Sequence, residues 1–464
     1  MKELLEPYVF GVEGLDRLLG GSIQPPYVVV IAGHPGSGKT TLASTICYRN
    51  SLANHKCLYI SLQEDKDKLF RFMSRLGLDL EGAESKGLLK FFKIPVTLDI
   101  ESSVEMLKLT SIDNYDVLVI DSINALLEAV KDDAGRRAWL QNFFYSLPKI
   151  TNGLVILNAE LPYGSEELGL GSIEFIADAV LILKHRVEDG FSTRVLEVRK
   201  ARGVPTTLAE TPFSISEGRG VEIWVPPLLE GVRVEGRELQ LPCGLLRKVF
   251  DHIHKGQVVN LVYPPDSDCL DLPILLLNMA MLNDLRLLFI SYKHPRESIK
   301  EQIVNKLMRQ GIERAVAEEV IDKHVVFVSV NPFSCSPTQL TARELTLVDN
   351  VNADVVVFHG VELPRQTIEL RKHIRELYNE MNYLRKDGKL VIRIGAYNDD
   401  LTYGLESSVA DAVVKLEYVD TEAGEVAYKA FMWRSHRKPY IASQQELNEC
   451  VDEVIETLKT QLIK

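Results

Sequence analysis

"YVVVIAGHPGSGKTTLASTICYRN", residues 27–50, decides the fold. The β-branched run from Tyr27 to Ala32 reads as a strand buried on both faces, and the residues after Thr40 read as a helix. Between them Gly33 to Thr40 spells GxxxxGK[ST] in the strand–loop–helix setting that the pattern requires. Gly36 and Gly38 permit backbone conformations that aim successive N–H groups at phosphate oxygens, and the helix N-terminus adds a favourable dipole. Gly33, His34, Pro35, Gly36, Ser37, Gly38, Lys39, Thr40 and Thr41 are therefore the candidate ATP-binding residues. Lys39 would reach the β- and γ-phosphates, and the Thr40 hydroxyl would ligate Mg²⁺.

Downstream strands supply the other candidates. Asp121 ends the run "DVLVID", where a carboxylate would hold Mg²⁺ through its water shell; an N-cap for the next helix is the alternative. "LYISLQEDKDKL", residues 58–69, runs from a buried strand into a helix and places Gln63 and Glu64 where a water-activating group would stand. A carboxylate accepts a proton and an amide does not, but Gln can orient an attacking water. Adjacent strand residues face opposite ways, so both reach one γ-phosphate only if the strand has ended. Asn158, closing "GLVILNA", would sense the γ-phosphate or cap a turn. Lys200 and Arg202 in "RKARG" read, on their own, as solvated cations near a late strand end.

Around this site the chain repeats itself. Residues 14–63 align without a gap on 244–293, and "NYDVLVIDSI" matches "NADVVVFHGV", so two copies of one unit are expected, 1–228 and 229–464. A length of 464 residues also exceeds what one core organises. YVVVIAG, CLYISL, YDVLVID, GLVILNA and AVLILKH predict strands, while "DKDKLFRFMSRLG" puts Leu69, Phe72, Met73 and Leu76 on one helical face. Such alternation predicts an α/β fold, a mostly parallel twisted sheet flanked by helices in each copy, with ligands at the carboxyl ends of the strands. The closing helix, apolar at Leu447, Val451, Val454, Leu458 and Leu462, would pack on its own domain or on a partner.

Composition narrows the class. An apolar fraction of 46% and a charged fraction of 25% are those of a globular protein, and a formal charge of -12 argues against a surface that binds nucleic acid everywhere. The basic run "KHPRESIKEQIVNKLMRQ" is interleaved with Glu297, Glu301 and apolar Ile299, Ile303 and Leu307, which favours a solvated helix face over a nucleic-acid contact. The N-terminus does not read as a signal peptide, and the apolar stretch 272–290 is interrupted by Asn278, Asn283, Asp284 and Arg286, so a cytosolic protein without a membrane span is expected. Six scattered cysteines (47, 57, 243, 269, 335 and 450) read as buried thiols.

"GVEGLDRLLGG" before "GHPGSGKTTLA", then "IDSINALLEA", "GLGSIEFIADAVLIL" and "RKARGVP", resemble the tandem KaiC-like branch of the RecA-type ATPases, over about residues 8–225 and more weakly to about 442. The resemblance implies two tandem RecA-like P-loop domains, ATP and Mg²⁺, and a homo-oligomer, commonly a hexameric ring. It also implies that Lys200 and Arg202 reach the neighbouring subunit's phosphates, stabilising charge there. The family usually carries paired glutamates where Gln63 and Glu64 stand, which points to slow hydrolysis. In the second copy "YPPDSDCL" replaces the loop, with Asp268, Cys269 and Leu270 at the Gly38, Lys39 and Thr40 positions. Lys293 and His294 fall on Gln63 and Glu64, and His359 on Asp121, so this copy reads as degenerate, with structural histidines rather than a metal site. The leading expectation is a regulatory, signalling ATPase whose slow turnover drives assembly or switches an unknown protein partner. The alternatives are a DNA-binding recombination or repair ATPase and a non-hydrolysing scaffold; autokinase activity is not expected.

Overall fold

The computed structural model describes residues 6–21, 23–94, 114–128, 134–161, 176–188, 190–205, 209–225, 237–267, 272–366, 368–419 and 426–462. The chain divides into two compact units, Met1–Val225 and Pro226–Lys464.

The first unit is built on β1 (Tyr27–Gly33), β2 (Cys57–Ser61), β3 (Leu89–Lys93), β4 (Val117–Asp121), β5 (Leu154–Glu160), β6 (Ala179–Glu188), β7 (Phe191–Ala201), β8 (Glu210–Ser216) and β9 (Gly220–Ile223). They form one sheet in the order β3-β2-β4-β5-β1-β6-β7-β8-β9. Pairing is parallel from β3 to β6 and antiparallel from β6 to β9. Helices cover both faces, which is why the interior parallel strands β1, β2, β4 and β5 read as apolar runs. On one face Val29, Ile31 and Tyr59 pack against Leu42 and Ile46 of the helix Lys39–Leu52. On the other, Val28, Val30 and Leu157 pack against Phe144 and Leu147 of the helix Ala134–Thr151.

The second unit opens with the short pair β10 (Glu238–Leu239) and β11 (Ile253–His254). Its sheet comprises β12 (Val258–Tyr263), β13 (Leu287–Ser291), β14 (Val325–Ser329), β15 (Val355–His359), β16 (Leu390–Ala396), β17 (Ala412–Val419), β18 (Ala427–Arg434) and β19 (Tyr440–Ala442). The order β14-β13-β15-β16-β12-β17-β18-β19 reproduces, strand for strand, that of β3 to β8 in the first unit. Both units thus have the α/β, mostly parallel architecture expected of tandem RecA-like domains.

Several local expectations change. On the helix Lys66–Arg75, Phe72 is 45% exposed and Phe70 is buried instead, its ring edge-on to Phe91 of β3 at 5.9 Å. Leu69 and Met73 stay buried as expected, and only the aromatic position is exchanged. Of the cysteines expected as thiols, Cys243 and Cys450 form a disulfide within the second unit. The bond joins positions 207 residues apart, tying the start of the helix Gly244–Phe250 to the closing helix Gln444–Leu462. Cys47 and Cys57 are buried free thiols and Cys335 is part-buried, while Cys269 lies outside the described residues. The closing helix, Gln444–Leu462, packs Val454 and Leu458 into its own unit's core. No helix among the described residues is long and apolar enough to cross a membrane. The stretch at 272–290 instead forms the helix Leu272–Asn283 and β13.

Candidate nucleotide site

β1 ends at Gly33, beside Glu160 of β5 and Leu183 of β6, and the chain turns into the helix Lys39–Leu52. Two glycines make that turn: Gly36 has φ +77° and Gly38 +106°, in the left-handed region that side chains resist. Gly38 is the N-cap and contributes no side-chain cap, so the first helical N–H groups face the loop. Lys39 is 7% exposed and folds back, Nζ donating to the carbonyls of Gly33 at 2.9 Å and His34 at 3.1 Å. Burial pulls its ammonium below the ordinary range, and Glu160 and Asp121 pull it back. Glu160 is thereby part of the site's charge balance, held by Asn124, whose side chain clamps its backbone N–H and C=O at 2.6 and 3.1 Å. Neither residue stood out in the sequence, because their place is set by β1 lying beside β5.

The Thr40 hydroxyl donates to Asp121 Oδ2 at 2.8 Å, across the gap between the helix start and the end of β4. The same oxygen accepts the Tyr59 hydroxyl at 2.7 Å, and burial of that phenol, with the part-buried Asp121 carboxylate beside it, pushes it well above its ordinary range. A hydroxyl and a carboxylate converging beside a phosphate-type loop are hard oxygen donors of the kind Mg²⁺ takes, so the residues present fit that ion. Further buried polar atoms are unpaired around the loop, namely Ser37 Oγ, Ser122 Oγ and both amide atoms of Asn158. Such groups normally find a partner, and their clustering here suits a polar ligand.

Gln63 and Glu64 lie past the end of β2, in a turn where Ser61 Oγ accepts from Glu64 N–H and donates to Glu64 C=O, each at 2.9 Å. The strand has ended before them, so the alternation argument no longer separates them. Gln63 is exposed, and the Glu64 carboxylate, 41% exposed, pairs with Lys68 at 2.8 Å.

Lys200 and Arg202 lie elsewhere. β7 runs back along β6, so Lys200 sits opposite Val180, and Arg202 pairs with Asp178 at 3.1 Å beside the start of β1. Val29 is level with Ala179 and Gly33 with Leu183, so the loop begins about 13 Å further along the sheet. The backbone of Lys200, level with Val30, is set back from the start of the loop by three residues, about 10 Å.

In the second unit the register is preserved and the chemistry is not. Ser291 pairs with His359 as Ser61 pairs with Asp121. His359 Nδ1 lies 3.2 Å from Ser291 Oγ, and burial, with His294 and Lys293 nearby, drops its pKa to about 4. His294 N–H bonds Ser291 Oγ at 3.0 Å, repeating the turn of the first unit with different side chains. Pro264 to Ser267 follow β12; Asp268, Cys269 and Leu270 lie outside the described residues. Among the described residues no group of three or more His, Cys, Asp or Glu could hold a metal. Arg296 and Lys300 of the basic run pair with Glu297 and Asp322 at 2.6 and 2.5 Å, and Ile299, Ile303 and Leu307 are buried.

A family model described as the ATPase KaiC matches residues 9–227. The circadian clock oscillator protein KaiC of a Picosynechococcus species is 28% identical over 211 residues, which are 45% of this chain and 41% of that protein. Those of Parathermosynechococcus lividus and a Nostoc species are 28% identical over 195 residues and 27% over 196, each 42% of this chain and 36% and 38% of the relative. The chain spans about two fifths of the length of the curated relatives it matches.

Proposed function

We propose, from the match of residues 9–227 to the KaiC ATPase family, that the chain is a KaiC-like, Mg²⁺-dependent regulatory ATPase with one working site. The observation that carries this reading is the Thr40–Asp121 contact at the mouth of a glycine-built loop. Thr40 and Asp121 would hold Mg²⁺ there, and the ion would supply positive charge to offset that of the phosphates.

The residues divide the work. Backbone N–H groups of the loop and of the helix start cradle the phosphates. Lys39, now bonded to Gly33 and His34 carbonyls, exchanges those partners for phosphate oxygens. Asn158, buried with its amide unpaired, senses the terminal phosphate. Gln63 orients the attacking water or Glu64 deprotonates it; for the second role Glu64 must leave Lys68, which supports slow turnover. Lys200 and Arg202 serve a neighbouring copy's nucleotide, since their backbone is set back from their own loop, and this favours a ring of identical chains. The second unit keeps the sheet without the loop, metal carboxylate or base and acts as a non-catalytic partner domain.

ATP turnover of wild type, Gln63→Glu and Glu64→Gln, with sizing by light scattering, tests the proposal. Restoring the paired carboxylates in Gln63→Glu should raise turnover about tenfold or more, and Glu64→Gln should abolish it. Equal turnover in Glu64→Gln would remove Glu64 as base. No turnover in any variant, with ATP-dependent assembly retained, would favour the scaffold reading.

A further inference from the structure

Tyr59 lies in the middle of β2, 1% exposed, its ring stacked on Phe91 at 5.8 Å. A buried phenol must satisfy its hydroxyl, and this one does so on Asp121 rather than on the backbone. Register explains the reach: Ser61 lies opposite Asp121, so Tyr59, two residues earlier on the same face, is its diagonal neighbour. Oδ2 of Asp121 thus takes two hydroxyl donors, Thr40 and Tyr59. Only one of them has another duty. When the Thr40 hydroxyl turns to a metal ion, the phenol stays, and by holding Oδ2 it sets the direction in which the rest of the carboxylate points.

The second unit acts as an internal control. The gapless alignment places Phe289 on Tyr59, and the structure gives Phe289 the same pairings, opposite Phe327 and Val357 as Tyr59 is opposite Phe91 and Val119. The ring is retained, packed against Phe327 at 5.5 Å. Its hydroxyl is gone together with the carboxylate, His359 standing in place of Asp121. Ser44, whose hydroxyl flanks the Tyr59 phenol without completing a well-formed hydrogen bond, is matched by Ile274. The fold needs the aromatic ring in both units; the hydroxyl occurs only where there is a carboxylate to hold.

We infer that Tyr59 is a positioning residue for the Mg²⁺-nucleotide site, orienting Asp121 through its hydroxyl, an inference that rests on the proposed reading of that site. The experiment is a Mg²⁺ titration of equilibrium binding of a fluorescent ATP analogue to the full chain. It compares wild type, Tyr59→Phe, Asp121→Asn and the double variant, with a parallel titration in EDTA. Tyr59→Phe should raise the Mg²⁺ concentration for half-maximal binding about tenfold, in the range for partners that orient metal ligands, with metal-free binding unchanged. In the Asp121→Asn background the same substitution should have no further effect. A Mg²⁺ dependence equal to wild type in Tyr59→Phe, or an undiminished effect in the Asp121→Asn background, would overturn the inference alone. If wild type and Asp121→Asn share one Mg²⁺ dependence, the reading of the site itself fails. Unfolding of Tyr59→Phe by circular dichroism would also count against it, because the second unit folds around a phenyl ring at this position.

Discussion

Glu406 lies on the helix Asp400–Ser407 with 2% of its surface exposed. Its carboxylate accepts Arg365 Nε and Nη2 at 2.9 and 2.7 Å, faces His373 Nε2 at 2.8 Å, and takes Arg393 Nη2 at 3.4 Å. Burial alone would raise its pKa, but Arg393, His373 and Arg365 together outweigh burial and hold the carboxyl down to about 2 from 4.5. The depressed value stabilises the fold fully above the unfolded pKa, and that contribution is lost as pH falls from about 4.5 towards 2. The interval corresponds to about 3 kcal/mol at neutral pH and, by the same linkage, about 1.5 kcal/mol at pH 3. Glu406→Gln removes the charge and leaves two arginines buried without it, so the second unit should lose about 3 to 5 kcal/mol at pH 7. Urea unfolding followed by circular dichroism measures this, the second unit's transition being the one that Mg²⁺-ATP does not shift. The gap between wild type and variant should shrink by about half on moving to pH 3. An unchanged midpoint at pH 7, or a gap independent of pH, would refute the reasoning that these arginines hold an ionised carboxylate.

Two other outcomes follow from the geometry. If Lys200 and Arg202 serve a neighbour, Lys39→Ala and Arg202→Ala chains should each be inactive, while a random equimolar mixture recovers about a quarter of wild-type turnover; no recovery would place the cations outside the reaction. Alkylation of the unfolded, non-reduced chain should leave Cys243 and Cys450 unmodified until a reductant is added, and peptide mass mapping would show it; alkylation of both without reductant would exclude the bond.

What could be read ahead of the structure was whatever a short stretch dictates by itself. β1, β2, β4, β5 and β6 announce themselves because strands buried on both faces are continuous apolar runs, and the loop does so because its backbone demands Gly36 and Gly38. β3, "LKFFK", lies at the sheet edge with exposed lysines, and β7 is half-buried along its length, so neither carries that signal. Partners distant in sequence were illegible for a different reason. Tyr59 to Asp121 joins two strands, Asn124 to Glu160 a helix to a strand end, and Cys243 to Cys450 two helices, and nothing in the local pattern of either member names the other. Lys200 and Arg202 are legible as cations, but only the antiparallel course of β7 shows that they lie away from their own loop.

The repeat makes a sharper point about the second unit. Register places Arg393 beside Asn260 where the first unit has Leu157 beside Val30, and the gapless alignment puts Tyr292 on Leu62. An oily face of the first sheet has become charged and hydroxylated in the second: Tyr292 donates to Glu344, and Arg393 and Arg365 converge on Glu406. Such pairs stabilise no better than well-packed hydrophobic side chains, so stability does not account for the exchange. They are directional, however. Arg365, Arg393 and Glu406 come from a short helix, from β16 and from the helix Asp400–Ser407, and their contacts fix those elements against one another where apolar packing would tolerate adjustment. The two units should therefore part company in acid. The first unit's corresponding face consists of Val30, Leu62 and Leu157, which do not titrate, whereas the second loses its Glu406 contribution below about pH 4.5.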